Sequence, residues 1–249
     1  MDIAPEDKGE NVRREICLTL EQMGILPESS HHEEGPGQNE IDFRYSDPLT
    51  AADNAVTFRS VVQTVAARNG LYADFSPKPL EDRPGNGMHI NISAKCTSGT
   101  DVMPSIMAGI LTHIPAMTLF FNTTEASYRR FGRDKAPSVV SWSAENRSQL
   151  IRIPAAEGEY KRAELRSPDP LCSPYLAFAL LIRAGLDGIA EKRVLPPALN
   201  KNLYAADKNE LAGLRRLPGS LSAAVALAKE SAFIKEEVPA AIAEAYFRL

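Results

Sequence analysis

Apolar positions recur three and four residues apart at Val12, Ile16, Leu20 and Met23, which predicts an amphipathic helix over residues 5–24 with acidic residues in its first turn and Gly24 at its end. The same period returns over residues 47–69 through Leu49, Ala52, Val56, Val61 and Val65, closed by Gly70. Between the two, residues 29–39 read as a loop rich in His, Glu, Gly and Pro, and residues 40–45 alternate as a strand does, with Ile41, Phe43 and Tyr45 inward. Strand-like segments follow at 71–76 and 88–93, then a helix over 104–120 and a polar, basic loop over 122–137. Strands return at 138–143, 150–153 and 160–167, and the apolar run 175–189 predicts a helix buried on most of its circumference. The tail adds helical patterns at 221–229 and 238–247.

Strands and helices come in runs and not in strict alternation. The expected fold class is therefore α+β, a largely antiparallel β-sheet flanked by helices, and not a doubly wound parallel sheet. Residues 1–249 read as a single domain, with a core over 1–193 that carries the chemistry and a C-terminal helical extension over 194–249. Met1-Asp2-Ile3-Ala4, a strand-like scrap running straight into a helix, reads as the middle of a longer protein.

At 249 residues and 44% hydrophobic content the chain can bury a sizeable core, and a net charge of -4 argues against bulk attraction to nucleic acid. Cys17, Cys96 and Cys172 are widely spaced without a CxxC pair, as expected of buried, reduced thiols. No charged leader with an apolar run is present, and no apolar stretch reads as long enough to span a bilayer. The expectation is a cytoplasmic protein with no membrane partner.

The polar positions carry the chemistry. If residues 161–167 form a strand, Arg162, Glu164 and Arg166 share one face and Ala163 and Leu165 the other. Burying two guanidiniums and a carboxylate is costly, so that face should line a solvated, anion-handling cleft, with or without a metal beside the carboxylate. In Gly85-Asn86-Gly87-Met88-His89-Ile90-Asn91-Ile92-Ser93 the residues His89, Asn91 and Ser93 share a second polar face, and the glycines permit close backbone approach to a ligand. His31 to Glu40 gathers three carboxylates and two imidazoles around glycines, suitable for magnesium or manganese or simply a solvated acidic loop. The cations of residues 128–135, with Arg147, Arg152, Arg162 and Arg166, offer many partners for phosphates and carboxylates. No GxGxxG or P-loop follows a strand, so a nucleotide must be held by another architecture. His113, amid Ile110, Leu111, Ile114 and Met117, and Trp142 read as structural.

Taken together, HHEEGPGQNEIDFRY, DNAVTFRSVVQTVAARNGLYADFSPKP, GNGMHINIS, NRSQLIRIP, KRAELRSPDPLCSPYLAFALLIRAGLDGI and NKNLY, in this order, resemble the glutamine synthetase family over nearly the whole chain. The resemblance implies a catalytic domain of the glutamine synthetase/guanido kinase-like fold. It also implies an ATP-dependent carbon-nitrogen ligase that phosphorylates the γ-carboxylate of glutamate and lets ammonia displace the phosphate, with ATP and Mg2+ (or Mn2+) as cofactors and homo-oligomeric rings for a complete enzyme. By position it implies Glu33 and Glu40 for one metal and His89 and Glu164 for the other. Gly85, Arg130 and Arg166 would bind substrate, and Ser93, Arg147, Arg152 and Arg162 would lie at the ATP, with Arg147, Arg152 and Arg130 taking part in catalysis.

Several features depart from the family pattern. The N-terminal β-grasp domain and the strand that gives one glutamate to each metal are not in this sequence, so each cation would keep two of its protein ligands and the chain alone is expected to be inactive or weakly active. The C-terminus precedes the family's last helix and tail. Asn91 stands for a frequent histidine, and Pro84 for an asparagine that contacts the amino acid. Lys135 stands for a glutamate that closes the site and accepts an ammonium proton, a role Asp134 could take. These changes leave open a γ-glutamyl ligase for another amine, and a non-catalytic nucleotide- or metal-binding paralogue.

Overall fold

The structure is a computed structural model that describes residues 6–144, 146–156, 158, 161–207 and 209–249. The reading of Met1–Ala4 and the Tyr160 end of the last predicted strand lie outside the described residues. The chain divides into two compact units, Met1–Phe75 with Pro79–Pro84, and Ser76–Lys78 with Gly85–Leu249. The described residues of 194–249 belong to the second unit together with those of 85–193.

The first unit holds helix α1 (Glu10–Gln22), strands β1 (Pro27–His32) and β2 (Asn39–Phe43) and helix α2 (Pro48–Arg68). Ile16 and Leu20 of α1 bury against Val61 and Val65 of α2, with Ile25, Ile41, Phe43 and Phe58 completing a small core. Asp47 accepts from the Leu49 and Thr50 amides and fixes the start of α2, where Pro48 needs no donor. Asn69 ends it and Gly70 takes the left-handed φ of 69°. The predicted loop over 29–39 is half strand: β1 pairs antiparallel with β2, setting His31 opposite Glu40 and His32 opposite Asn39. Its sequence, PESSHH, has no apolar alternation to announce it. Tyr45 lies beyond β2 and is exposed, residues 71–76 form no strand, and the apolar Leu49 and Val56 face outward.

The second unit is built on a four-stranded sheet of order β3 (Ile90–Ile92), β6 (Ala163–Leu165), β5 (Ile151–Ile153), β4 (Trp142–Ala144). Its pairings are antiparallel except β4–β5, which is parallel. Ile90, Leu165 and Ile151 form one apolar row that joins a large core under helices α3 (Met103–Phe121), α5 (Pro174–Ala190), α6 (Leu221–Glu230) and α7 (Ala232–Glu237). The short α4 (Glu125–Tyr128) interrupts the predicted basic loop, and the last predicted helix is α8 (Ala240–Tyr246).

Helices α3 and α5 meet backbone to backbone. A Cβ on Gly109 would lie 2.0 Å from the Ala184 carbonyl oxygen, and one on Gly188 would lie 2.0 Å from that of Ser105. Only glycine fits at that crossing. Pro115 sits inside α3 without an amide to give to Leu111, and the Arg215 guanidinium donates to the carbonyl oxygens of Leu111 and Thr112 instead. Contrary to the sequence reading, α3 is long and apolar enough to cross a bilayer, yet two thirds of it (67%) is buried inside the unit, as in a core helix. Of the cysteines only Cys172 is buried; Cys17 and Cys96 are partly exposed, and none of the three is in a disulfide. His113 packs its ring on Phe233 and lies 2.8 Å from Asp187, which Arg193 also holds.

Candidate functional site

In the second unit, sheet register lines up four polar residues across the strands: Asn91 faces Glu164, Glu164 faces Arg152, and Arg152 faces Ser143. Side chains alternate along each strand, so the whole row lies on the sheet face opposite the apolar core. Glu164 is its hub. One carboxylate oxygen accepts from Arg166 at 2.9 Å and lies 3.3 Å from His89 Nδ1; the other accepts from Arg152 at 3.1 Å. Arg162, two residues back on the same face, donates to Asn91 at 3.1 Å.

The expected solvated cleft is corrected in one respect: Glu164, Arg166 and Arg130 are buried, at 8%, 2% and 3% exposure. Burial is tolerated because the charges meet each other, one carboxylate against two guanidiniums and a ring. Burial alone would raise the Glu164 carboxyl, but the hydrogen bond to His89 and the charges of Arg166 and Arg152 outweigh it and hold the group well below the usual carboxylate range. Burial pushes the His89 ring toward its neutral form, against the pull of Glu164 and with the help of Arg166 and Arg130. A neutral imidazole is the form that binds a metal.

Arg130 is pushed down to about 10 by burial, with Asp169 opposing. Its guanidinium donates to the Ser167 carbonyl oxygen, and the glycine loop lies directly on it. A Cβ on Gly85 would fall 2.4 Å from the Pro77 carbonyl oxygen and 2.7 Å from Arg130 Cγ; one on Gly87 would fall 3.0 Å from His89 Nε2. These glycines bring backbone onto both functional side chains. Arg166 Nε and Ser167 Oγ are buried with no hydrogen-bond partner among the described residues. Donors left unpaired between cationic side chains suit an anionic ligand such as a carboxylate.

The first unit carries a separate cluster. Ligand atoms of His31, Glu33 and Glu40 lie within 4.8 Å of one another, with His31 Nε2 3.3 Å from Glu33 Oε1. Hard oxygen donors with one imidazole suit magnesium or manganese with water completing the shell. His31, unassigned from the sequence, joins through its cross-strand position opposite Glu40. Reading β1 as a strand would have found it.

The structure therefore brings His89, Glu164, Arg152, Arg166, Arg130 and Gly85 together and sets Arg162 beside Asn91. Ser93, one residue past β3, and Arg147, in the turn before β5, are exposed and form no hydrogen bond to the Glu164 cluster among the described residues. Sequence reasoning missed three supports. Asp169, fully buried, accepts from Asn122 Nδ2 and the Leu171 amide beneath Arg130. Asn122 also donates to the Ser167 carbonyl oxygen at 2.9 Å. Lys78, buried, donates to Asp134 at 3.5 Å. Asp169 and Lys78 stand inside the quoted motifs, but nothing local says what a buried charge will face.

Asp134 and Lys135 both have left-handed backbone, with φ of 49° and 63°. They are the central residues of a turn closed by the Ala136 amide donating to the Arg133 carbonyl oxygen at 2.9 Å, the sign pattern of a type I′ turn. Such turns favour Asn-Gly, and a residue like lysine in this region costs about 1–2 kcal/mol.

The buried carboxylate–guanidinium–imidazole hub thus lies beneath a glycine loop in an α+β fold. The sequence profile described as "Glutamine synthetase, catalytic domain" matches residues 1–249, and the chain belongs to that family. It is 46% identical over 251 residues to a glutamine synthetase of Methanosarcina mazei and 42% identical over 250 residues to one of Staphylococcus aureus, each match covering 94% of this chain and 56% of the relative. The chain thus spans a little over half the length of these relatives. Among solved structures it resembles a GmaS/ADP complex, with a TM-score of 0.85, 29% identity, and 97% of this chain and 60% of the other covered. It also has the fold of a Plasmodium falciparum glutamine synthetase, with a TM-score of 0.87 at 24% identity over 100% of this chain and 59% of that one.

Proposed function

We propose that the chain is the catalytic part of an ATP-dependent ligase that joins ammonia to the γ-carboxylate of glutamate through a γ-glutamyl phosphate. The observation that carries this reading is the Glu164 hub, where a buried carboxylate, the His89 ring and Arg152, Arg162 and Arg166 share one face beside a glycine loop. Carboxylate oxygen is a poor leaving group, and phosphorylation makes it a good one. In this reading Arg130 and Arg166 hold the substrate's carboxylate, the unpaired Arg166 Nε being the donor kept for it. Arg152, Arg162 and Arg147 offset the charge of the transferring phosphoryl group, with Ser93 toward the nucleotide. His89 with Glu164, and Glu33 with Glu40 and His31, would hold magnesium or manganese, which supplies further neutralisation of phosphate charge when bound. The turn at Lys135 supports a second reading in which the acceptor is another amine, because one oxygen of Asp134, the carboxylate beside it, is already engaged by Lys78 at 3.5 Å.

The test is calorimetric binding of glutamate and of the magnesium nucleotide, followed by phosphate release with ammonium and a panel of amines. Binding of both ligands, with glutamate binding alone lost in Arg130→Ala, and slow ammonium-dependent release are the expected result. Release favoured by an alkylamine would support the second reading. Nucleotide binding without release for any amine would favour a non-catalytic paralogue.

A further inference from the structure

The turn at Arg133–Ala136 should not hold its shape by itself, since two side-chain-bearing residues occupy left-handed backbone that glycine takes without strain. Two buried cations hold it. Lys78, whose side chain is 1% exposed, donates to the Asp134 carboxylate at 3.5 Å. Arg166 Nη2 donates to the carbonyl oxygen of Lys135 at 3.2 Å. The same Arg166 guanidinium gives Nη1 to Glu164 at 2.9 Å, so its plane is fixed by two acceptors, one on the sheet and one on the turn. Of its three nitrogens, Nε is the one buried without a partner among the described residues. Lys78 itself belongs to the short segment whose Pro77 carbonyl oxygen accepts from the Asn86 amide of the glycine loop. One lysine therefore anchors the turn from the strand of chain that underlies the glycine loop.

We propose that Lys78 is a positioning residue for anion recognition: through Asp134 it holds the left-handed turn, and the turn's Lys135 carbonyl oxygen sets the plane in which Arg166 presents its unpaired Nε–H. The inference rests on Arg166 as the carboxylate-binding arginine of the proposed reaction, and its test needs no turnover. The amides of Gly132 and Ala136, both hydrogen-bonded within the turn, report its shape by hydrogen exchange. The Arg166 Nε–H resonance in a nitrogen-15 spectrum reports the guanidinium.

In Lys78→Met both amides should exchange at least about tenfold faster, and the Arg166 Nε–H resonance should shift while amides of α3 stay protected. Adding Lys135→Gly to Lys78→Met should restore both signals, because glycine takes the positive φ unaided. Lys78→Arg should keep them. Should Lys78→Met fail to fold, Asp134→Ala carries the same comparison from the partly exposed side of the pair. Unchanged exchange in the substituted chain, an unmoved Arg166 resonance, or no rescue by glycine would each overturn the proposal. Failure to release phosphate would leave it standing, and a failed clamp would leave the ligase reading standing, so the two are separable.

Discussion

The two units expose their candidate site charges to different degrees. In the first, a core of a few aliphatic side chains supports a two-stranded ribbon, and His31, Glu33 and Glu40 stay partly open to water on it. In the second, a core several times larger sits beneath a four-stranded sheet and allows Glu164, Arg166, Arg130 and Asp169 to be buried. A two-stranded ribbon is marginal without helices packed on it, and the charges this unit does bury, Arg13 with Asp7, sit where α1 packs and where Asn39 of β2 also accepts from Arg13. Buried ions need neighbours fixed in place, and a large, tightly packed scaffold fixes them.

The contrast breaks first at the scaffold. Gly188→Val would drive side-chain atoms into the Ser105 carbonyl and the Gly109 backbone, where neither helix can yield. We expect a loss of about 3 kcal/mol or more, read by denaturant unfolding. Next is the hub. Glu164→Gln leaves Arg152 and Arg166 short of their counter-charge at a site only 11% exposed, for an expected loss of about 3 kcal/mol. Because the folded Glu164 titrates below its ordinary value of 4.5, its stabilisation is complete above that pH and fades as pH falls through the lowered value. The substituted chain should therefore lose part of the acid-side slope of stability against pH. An unchanged slope would remove Glu164 from the hub.

A smaller effect tests the interior of α3. Arg215→Ala removes the donor for the carbonyl that Pro115 leaves unpaired, and about 1–3 kcal/mol should go with it. The smallest concerns the first unit. Glu33→Gln, at a side chain 15% exposed beside His31, should cost about 0.5–1.5 kcal/mol. Any rise in melting temperature that manganese gives the unsubstituted chain should disappear in this variant and in Glu40→Gln. Equal manganese stabilisation in all three would place the ion elsewhere.

Much of the second unit was legible because a period of two survives in short strands. Arg162, Glu164 and Arg166 fell on one face as their spacing required, and so did His89 and Asn91. The burial of that face was not legible, since it depends on Arg152 arriving from a strand twelve residues away and His89 from one much farther. β1 was missed because a polar ribbon with one solvated side carries no apolar alternation. Ser93 and Arg147 matched motifs yet stand outside the hub, where exposed side chains have no packing to aim them.

By itself, then, the sequence determined the helices, the alternation of the strands and the types of group offered to a site, all properties of neighbours along the chain. The tertiary structure alone decided which charges face one another, that they are buried, that Gly109 lies on Gly188, and that a strained turn rests on Lys78 and Arg166. The physical reason is that charge pairing and close packing are set by distances in space between residues far apart in the chain, and these are fixed only when the sheet register and the helix crossing are fixed.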